Sequence, residues 1–196
     1  MQPLIRFSRL IDRLSEWLGN ASMYVVIVTV VVGFLNVVLR YVGRFIGMRL
    51  TSNLFIELQW YLYSLIFFLG FAYILKHGIN VRVDFWFAEL PRKKQAWIDF
   101  IGHMVSLIPF CIIGLSVAYS PVLRSWGLLP SGEWGMWEMS PDPDGLPRAP
   151  IKSMIIVAFI FLLLQGIAEL IKLIAVLRGQ EALVDIDIHD APLRIE

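Results

Sequence analysis

The side chains equipped for chemistry in this chain are few: three histidines, one cysteine and a handful of charges beside long apolar runs. A membrane-held b-type haem takes two axial ligands that face each other across a helix bundle. His77 and His103 fall near matching ends of two apolar runs, so one such pair is conceivable; His189 lies far from both. The plainer reading is an interfacial His77 and a hydrogen-bonded His103. Cys111 sits inside an apolar run with no second cysteine, so it reads as a small packing residue. Asp99, Glu169 and Lys172 lie within a turn or two of the ends of such runs. Glu169 and Lys172 are three residues apart, share a helix face and can pair. Charge inside a bilayer usually marks a transport path, and transporters hold coupling ions at broken helices near the midplane. The runs here carry neither a glycine-rich break nor a midplane polar cluster. No serine has a matched histidine and acid, and GxGxxG, CxxC and HExxH motifs are missing from the sequence. The chain therefore reads as a non-enzyme with no cofactor and no metal of its own.

What must position these residues is a set of helices. Residues 17–39, 58–75, 100–123 and 153–168 hold no Asp, Glu, Lys or Arg. About 20 apolar residues in a helix cross a bilayer core of roughly 30 Å, and only closed backbone hydrogen bonding is tolerated there. Of the 196 residues 58% are hydrophobic and 17% charged, and the mean hydropathy is +0.69. The fold expected is an all-α integral membrane protein forming one domain over residues 1–196. Its spans are 20–39, 57–75, 98–120 and 151–177, with a tail over 178–196. The first run is too long for a cleaved signal and reads as a retained anchor. No room remains for a soluble domain of ordinary size. A net charge of +1 gives no reason to expect a nucleic-acid partner.

Lys and Arg set the orientation. Both tails and the loop between spans 2 and 3 carry 11 of them, against 6 on the other side. Both termini are expected in the cytoplasm. Residues 1–19 form a basic amphipathic segment, with Leu4, Phe7, Ile11, Leu14 and Leu18 at helical spacing. It reads as a membrane-surface helix, or else as an inward extension of span 1. Between spans 2 and 3, residues 76–97 suit the inner membrane surface or a partner: Val81, Val83 and Phe85 alternate with Arg82 and Asp84, and Trp86, Phe87 and Leu90 follow. Arg82, Asp84, Arg92, Lys93 and Lys94 are expected to touch lipid headgroups or a partner subunit there. Arg40 closes span 1 and Glu57 opens span 2 at one depth, so a pair between them is expected. Pro109 is placed to kink span 3. Residues 121–150 hold six of ten prolines and three of seven tryptophans, Trp126, Trp134 and Trp137. That density suggests an ordered cap.

Several runs carry a family likeness. Asn36-Val37-Val38-Leu39-Arg40-Tyr41 resembles the end of the first helix in the small permease subunits of tripartite ATP-independent periplasmic (TRAP) transporters, the DctQ family. Glu57-Leu58-Gln59-Trp60-Tyr61-Leu62 is similar to that family's second helix, as is Phe68-Leu69-Gly70-Phe71-Ala72-Tyr73 followed by Leu75-Lys76-His77 and Val81-Arg82-Val83-Asp84. Ser140-Pro141-Asp142-Pro143, Gly145-Leu146-Pro147, Pro150-Ile151-Lys152 and Gln165-Gly166-Ile167-Ala168-Glu169-Leu170 resemble a branch with a longer outer loop. The likeness spans roughly residues 5–178. It implies a non-catalytic subunit of the bacterial inner membrane that braces a large DctM-type permease. The large subunit would carry substrate and sodium ions, and a periplasmic DctP-type binding protein would deliver an organic acid anion. Trp126, Trp134 and Trp137 would then face that protein. A haem- or quinone-binding anchor of a redox complex is the alternative, and a free-standing four-helix transporter is a further one.

Overall fold

The computed structural model describes residues 1–79, 87 and 89–180. Four helices in it are long and apolar enough to cross a membrane: α1 (Gln2–Ile46), α2 (Asn53–Lys76), α3 (Arg92–Ser125) and α4 (Arg148–Leu177). α4 is the hub and packs against the other three, while α1 also runs along α2. One end of the bundle holds the start of α1 and the ends of α2 and α4; we call it the terminal end. The other holds residues 126–147 and is the cap end.

α1 corrects one expectation. Residues 1–19 are not a separate surface helix but the first part of a single 45-residue helix, about 67 Å long at 1.5 Å per residue. The extension, the other reading open from sequence, is what forms. Gly19, the one candidate break, is occupied otherwise: a Cβ there would meet the Tyr73 ring at 2.2 Å, so its bareness lets α2 approach. The buried stripe is also rotated from the apolar pattern. Leu4 and Phe7 are exposed, whereas Ile5, Ser8, Ile11, Ser15, Leu18 and Ser22 are buried. Ser8, Ser15 and Ser22 are seven residues apart, two helical turns, so they lie on one face. Small side chains there bring backbones close, as is common between membrane helices. α1 ends where Gly47 enters the left-handed region at φ 69° and Met48 N–H donates to Gly43 O at 2.9 Å.

α3 contains a wide, π-helical turn over His103–Leu107, just ahead of Pro109. Proline offers no N–H and its ring crowds the carbonyl four residues back. An extra residue in the turn accommodates both. Beyond it Phe110 meets Phe159 of α4 with ring centroids 5.6 Å apart, and Cys111 is buried beside this seam. Arg92, Lys93 and Lys94 open α3 at the terminal end and are exposed. Arg82 and Asp84 lie outside the described residues.

Candidate functional site

Two polar constellations stand out, one at each end. The cap-end one starts from the first turns of α2. Glu57 is 2% exposed, yet its carboxylate is matched. It accepts hydrogen bonds from Ser140 Oγ and from the backbone N–H of Leu146. Tyr61 donates its hydroxyl to Pro147 O at 2.9 Å, and Asn53 Nδ2 donates to Pro143 O at 3.2 Å. The Arg148 guanidinium lies 5.7 Å from the Trp60 ring centre, a cation–π distance. The run Asn53 to Tyr61 thus grips residues 140–148 as a strap. Among the described residues no ion pair joins Arg40 to Glu57. The carboxylate is satisfied instead by the strap's N–H and hydroxyl donors.

A second carboxylate pins the strap's other end. Glu138 accepts from Ser125 Oγ at 2.6 Å and Lys152 Nζ at 2.5 Å. Its backbone is held as well, by Glu138 N–H to Ser125 O and Arg148 N–H to Glu138 O. Between Ser125 and Glu138 the chain makes a tight lobe. Gly127, at φ 98°, takes a hydrogen bond from Gly135 N–H at 2.7 Å, and Leu128 bridges to Trp134. The three tryptophans split. Trp126 turns inward and donates Nε1–H to Ser153 Oγ at 2.7 Å, with the Trp137 ring edge-on at 4.7 Å. Trp134 and Trp137 are more than half exposed, and Met136 between them is 92% exposed.

The Lys152 ammonium, then the Ser125 hydroxyl, hold the Glu138 carboxyl below its ordinary value of 4.5, against the opposing pull of partial burial. A depressed carboxyl pKa stabilises the fold above the unfolded value and loses that contribution as pH falls through the folded one. The cap should therefore keep its shape from neutrality to about pH 4.5 and loosen below it. Tryptophan fluorescence followed against pH checks this. Glu138→Gln should loosen the lobe already at neutral pH and shrink the acid transition, leaving the part that belongs to Glu57; an unchanged transition in that variant would remove Glu138 from the account.

At the terminal end, α1 and α4 meet through buried polar groups. Gln165 is fully buried; its Oε1 accepts from Ser15 Oγ at 2.7 Å, and its Nε2 donates to Asp12 Oδ1 at 2.9 Å and Glu169 Oε1 at 2.8 Å. Lys172 Nζ lies 2.8 Å from both Asp12 Oδ1 and Glu169 Oε1. The expected Glu169–Lys172 pair is formed, with Asp12 as a third member. Ser8 Oγ donates to Ala168 O one turn further along. Glu16 joins α1 to α2 through Lys76 and through His77 Nε2 at 3.0 Å. His77 is thus committed to a carboxylate and lies against the Tyr73 ring, tilted by 48° with centroids 4.3 Å apart, while His103 Nδ1 lies 2.7 Å from Asp99 O. The Glu16 carboxylate takes His77 Nε2, while His103 Nε2 is buried with no hydrogen-bond partner among the described residues.

The sequence contained one signal for the buried face of α1 that apolar periodicity overlooked, the serines at 8, 15 and 22: the first two donate to α4 and Ser22 Oγ donates to Ile66 O of α2. It contained less for Tyr61, whose position fits an aromatic belt equally well. The strap's engagement of Glu57 had no signal in spacing, because the partners lie 83 and 89 residues away.

Residues 29–176 match the family of tripartite ATP-independent periplasmic transporters, DctQ component. The chain belongs to the DctQ family. Comparison with curated proteins and with solved structures returns no match. As a DctQ component it is a small membrane subunit of a tripartite transporter, a multi-pass protein whose partners are a large permease and a substrate-binding protein. The matched stretch runs from Thr29 within α1 to Val176 near the end of α4. It takes in Glu57, Glu138 and the whole strap. Asp12, Ser15 and Glu16 fall outside it, so the DctQ match covers only the α4 half of the terminal-end seam.

Proposed function

We propose that this DctQ chain is the stationary brace of its transporter. It holds the large permease subunit in the bacterial inner membrane and helps the loaded binding protein dock, while the large subunit imports an organic acid anion with sodium ions. The chain itself is non-catalytic and carries no cofactor. Both termini lie in the cytoplasm, which puts the cap end at the periplasm. The observation that supports bracing is the commitment of the seam: Gln165, Lys172, Asp12 and Glu169 bind one another. A carrier needs polar groups that exchange partners with a solute; this seam locks two helices together. Arg92, Lys93 and Lys94, exposed at the terminal end, are assigned to headgroups or the large subunit. Arg82 and Asp84 are assigned the same role from sequence.

Co-purification in mild detergent tests the bracing role. A large hydrophobic permease should travel with the chain, and vesicles holding this chain alone should not accumulate solute on a sodium gradient. Accumulation by the lone chain would sink the proposal.

Docking is assigned to the exposed face of the cap, Trp134, Met136 and Trp137, since aromatic side chains are frequent interface anchors. Trp126, turned inward onto Ser153, holds the lobe's shape. Trp134→Ala with Trp137→Ala should weaken binding-protein affinity by about 2 kcal/mol or more. Trp126→Ala should lower the melting temperature of the chain alone by more than that double variant does, because it loses the Ser153 hydrogen bond as well as the contact between the Trp126 and Trp137 rings. Unchanged uptake and affinity in the Trp134/Trp137 double variant would remove the docking role.

A further inference from the structure

We propose that the cap-end tip of α1 is a binding site for the phosphodiester headgroup of an anionic phospholipid. Arg40 and Arg44 are four residues apart and share a helix face. After Gly47 the chain turns back, and Arg49, Leu50 and Thr51 close a depression of about 380 Å³ against Gly43. Three arginines, Arg40, Arg44 and Arg49, thus line one concavity. None of the three has an ion pair, hydrogen bond or ring contact among the described residues. Glu57, the acid nearest in depth, is already occupied by Ser140 and Leu146.

Unpaired arginines on a membrane protein's surface have several candidate partners, and position selects among them. The charge-free run 17–39 ends at Arg40, so the first guanidinium stands one residue beyond the apolar span. That is headgroup depth. Gly33 lies beside Gln59 of α2, which places Arg40 about two turns further on, level with the start of α2. One flank is apolar: Met48 lines the depression itself, Val37 and Tyr41 stand three residues before Arg40 and Arg44 on α1, and all three are exposed. A ligand here meets cations at one end and lipid-like surface at the other. A phospholipid has that division built in. An acidic protein surface would leave the apolar flank unmatched, and a free anion would make no use of it. Guanidinium suits the phosphodiester because its planar N–H fork matches two oxygens at once.

The test is native mass spectrometry of the full chain in mild detergent, with phosphatidylglycerol and phosphatidylcholine supplied together. The wild type should retain phosphatidylglycerol in preference. Each basic residue near an anionic surface contributes roughly fivefold, so Arg40→Gln with Arg44→Gln and Arg49→Gln should lose on the order of 100-fold. The matching triple lysine variant should keep a clear preference, since it keeps the charge. Melting temperature serves as the folding control, with the single Arg44→Gln variant in reserve should the triple variant not fold. Three results overturn the proposal: equal retention of the two lipids by the wild type, equal phosphatidylglycerol retention by wild type and glutamine variants, or an inorganic phosphate or acidic protein held at the site in place of lipid.

Discussion

Lys172→Met should detach the terminal end of α1 from α4. The ammonium lies 2.8 Å from both Asp12 and Glu169 and its side chain is 8% exposed. Methionine fills a similar volume but leaves two carboxylates facing each other with only Gln165 between them. Removing one partner of a buried ion group typically costs 3–5 kcal/mol, because the remaining charge is uncompensated. The melting temperature in detergent should fall accordingly. A disulfide formed between Ser8→Cys and Ala168→Cys, positions joined by a hydrogen bond in the native seam, should become slow to form. Replacing all three charged residues together with apolar side chains of like volume should restore much of the stability, since a well-packed apolar seam competes with a buried ion group. A triple variant as unstable as Lys172→Met would mean that packing, not charge, set the loss. A single variant with native stability and native cross-linking would show that the seam does not hold α1.

Glu57→Ala should release the strap from α2 while the four helices stay assembled. Two donors lose their acceptor at once, Ser140 Oγ and Leu146 N–H. Hydrogen bonds to a charged group are worth about 1.5–3 kcal/mol each, so protection of the Leu146 amide against hydrogen exchange should drop by at least about 100-fold at tenfold per 1.4 kcal/mol. Glu57→Gln should fall between: its carbonyl can serve one donor, but its NH₂ opposes the other. Arg40→Gln should leave exchange across residues 140–148 at the wild-type rate, because the carboxylate's partners are in the strap. Were Arg40→Gln to match Glu57→Ala, the pair expected from sequence would be the real anchor. Were Glu57→Ala to leave Leu146 protected, the latch would rest on Tyr61 and Asn53 instead. Both outcomes also bear on docking, since the strap is continuous with the lobe that carries Trp134 and Trp137.

The gross frame was legible along the chain. Four charge-free runs predict four crossing helices, and each lies inside a longer helix of the fold. Hydropathy reads well because lipid leaves a backbone few options: it must close its own hydrogen bonds. The Glu169–Lys172 pair was legible for a similar reason, since three residues along a helix fix relative position. Ser140 to Leu146 and Glu57 to Leu62 were recognised as family motifs, but without the contact that joins them.

The chain's composition and order alone determined a multi-pass helical protein of the DctQ kind, because those properties follow from local hydrophobicity and from motif order. Tertiary structure decided where each polar side chain is spent. It made residues 2–46 one helix, turned Ser8, Ser15 and Ser22 inward, joined Asp12 to Lys172 across 160 residues and gave Glu57 to the strap in place of Arg40. Such pairings depend on how far each helix is rotated about its axis and slid past its neighbour. A rotation of one residue, about 100°, exchanges a buried position for an exposed one, and no local pattern in the sequence sets that angle between helices that meet only in the folded bundle.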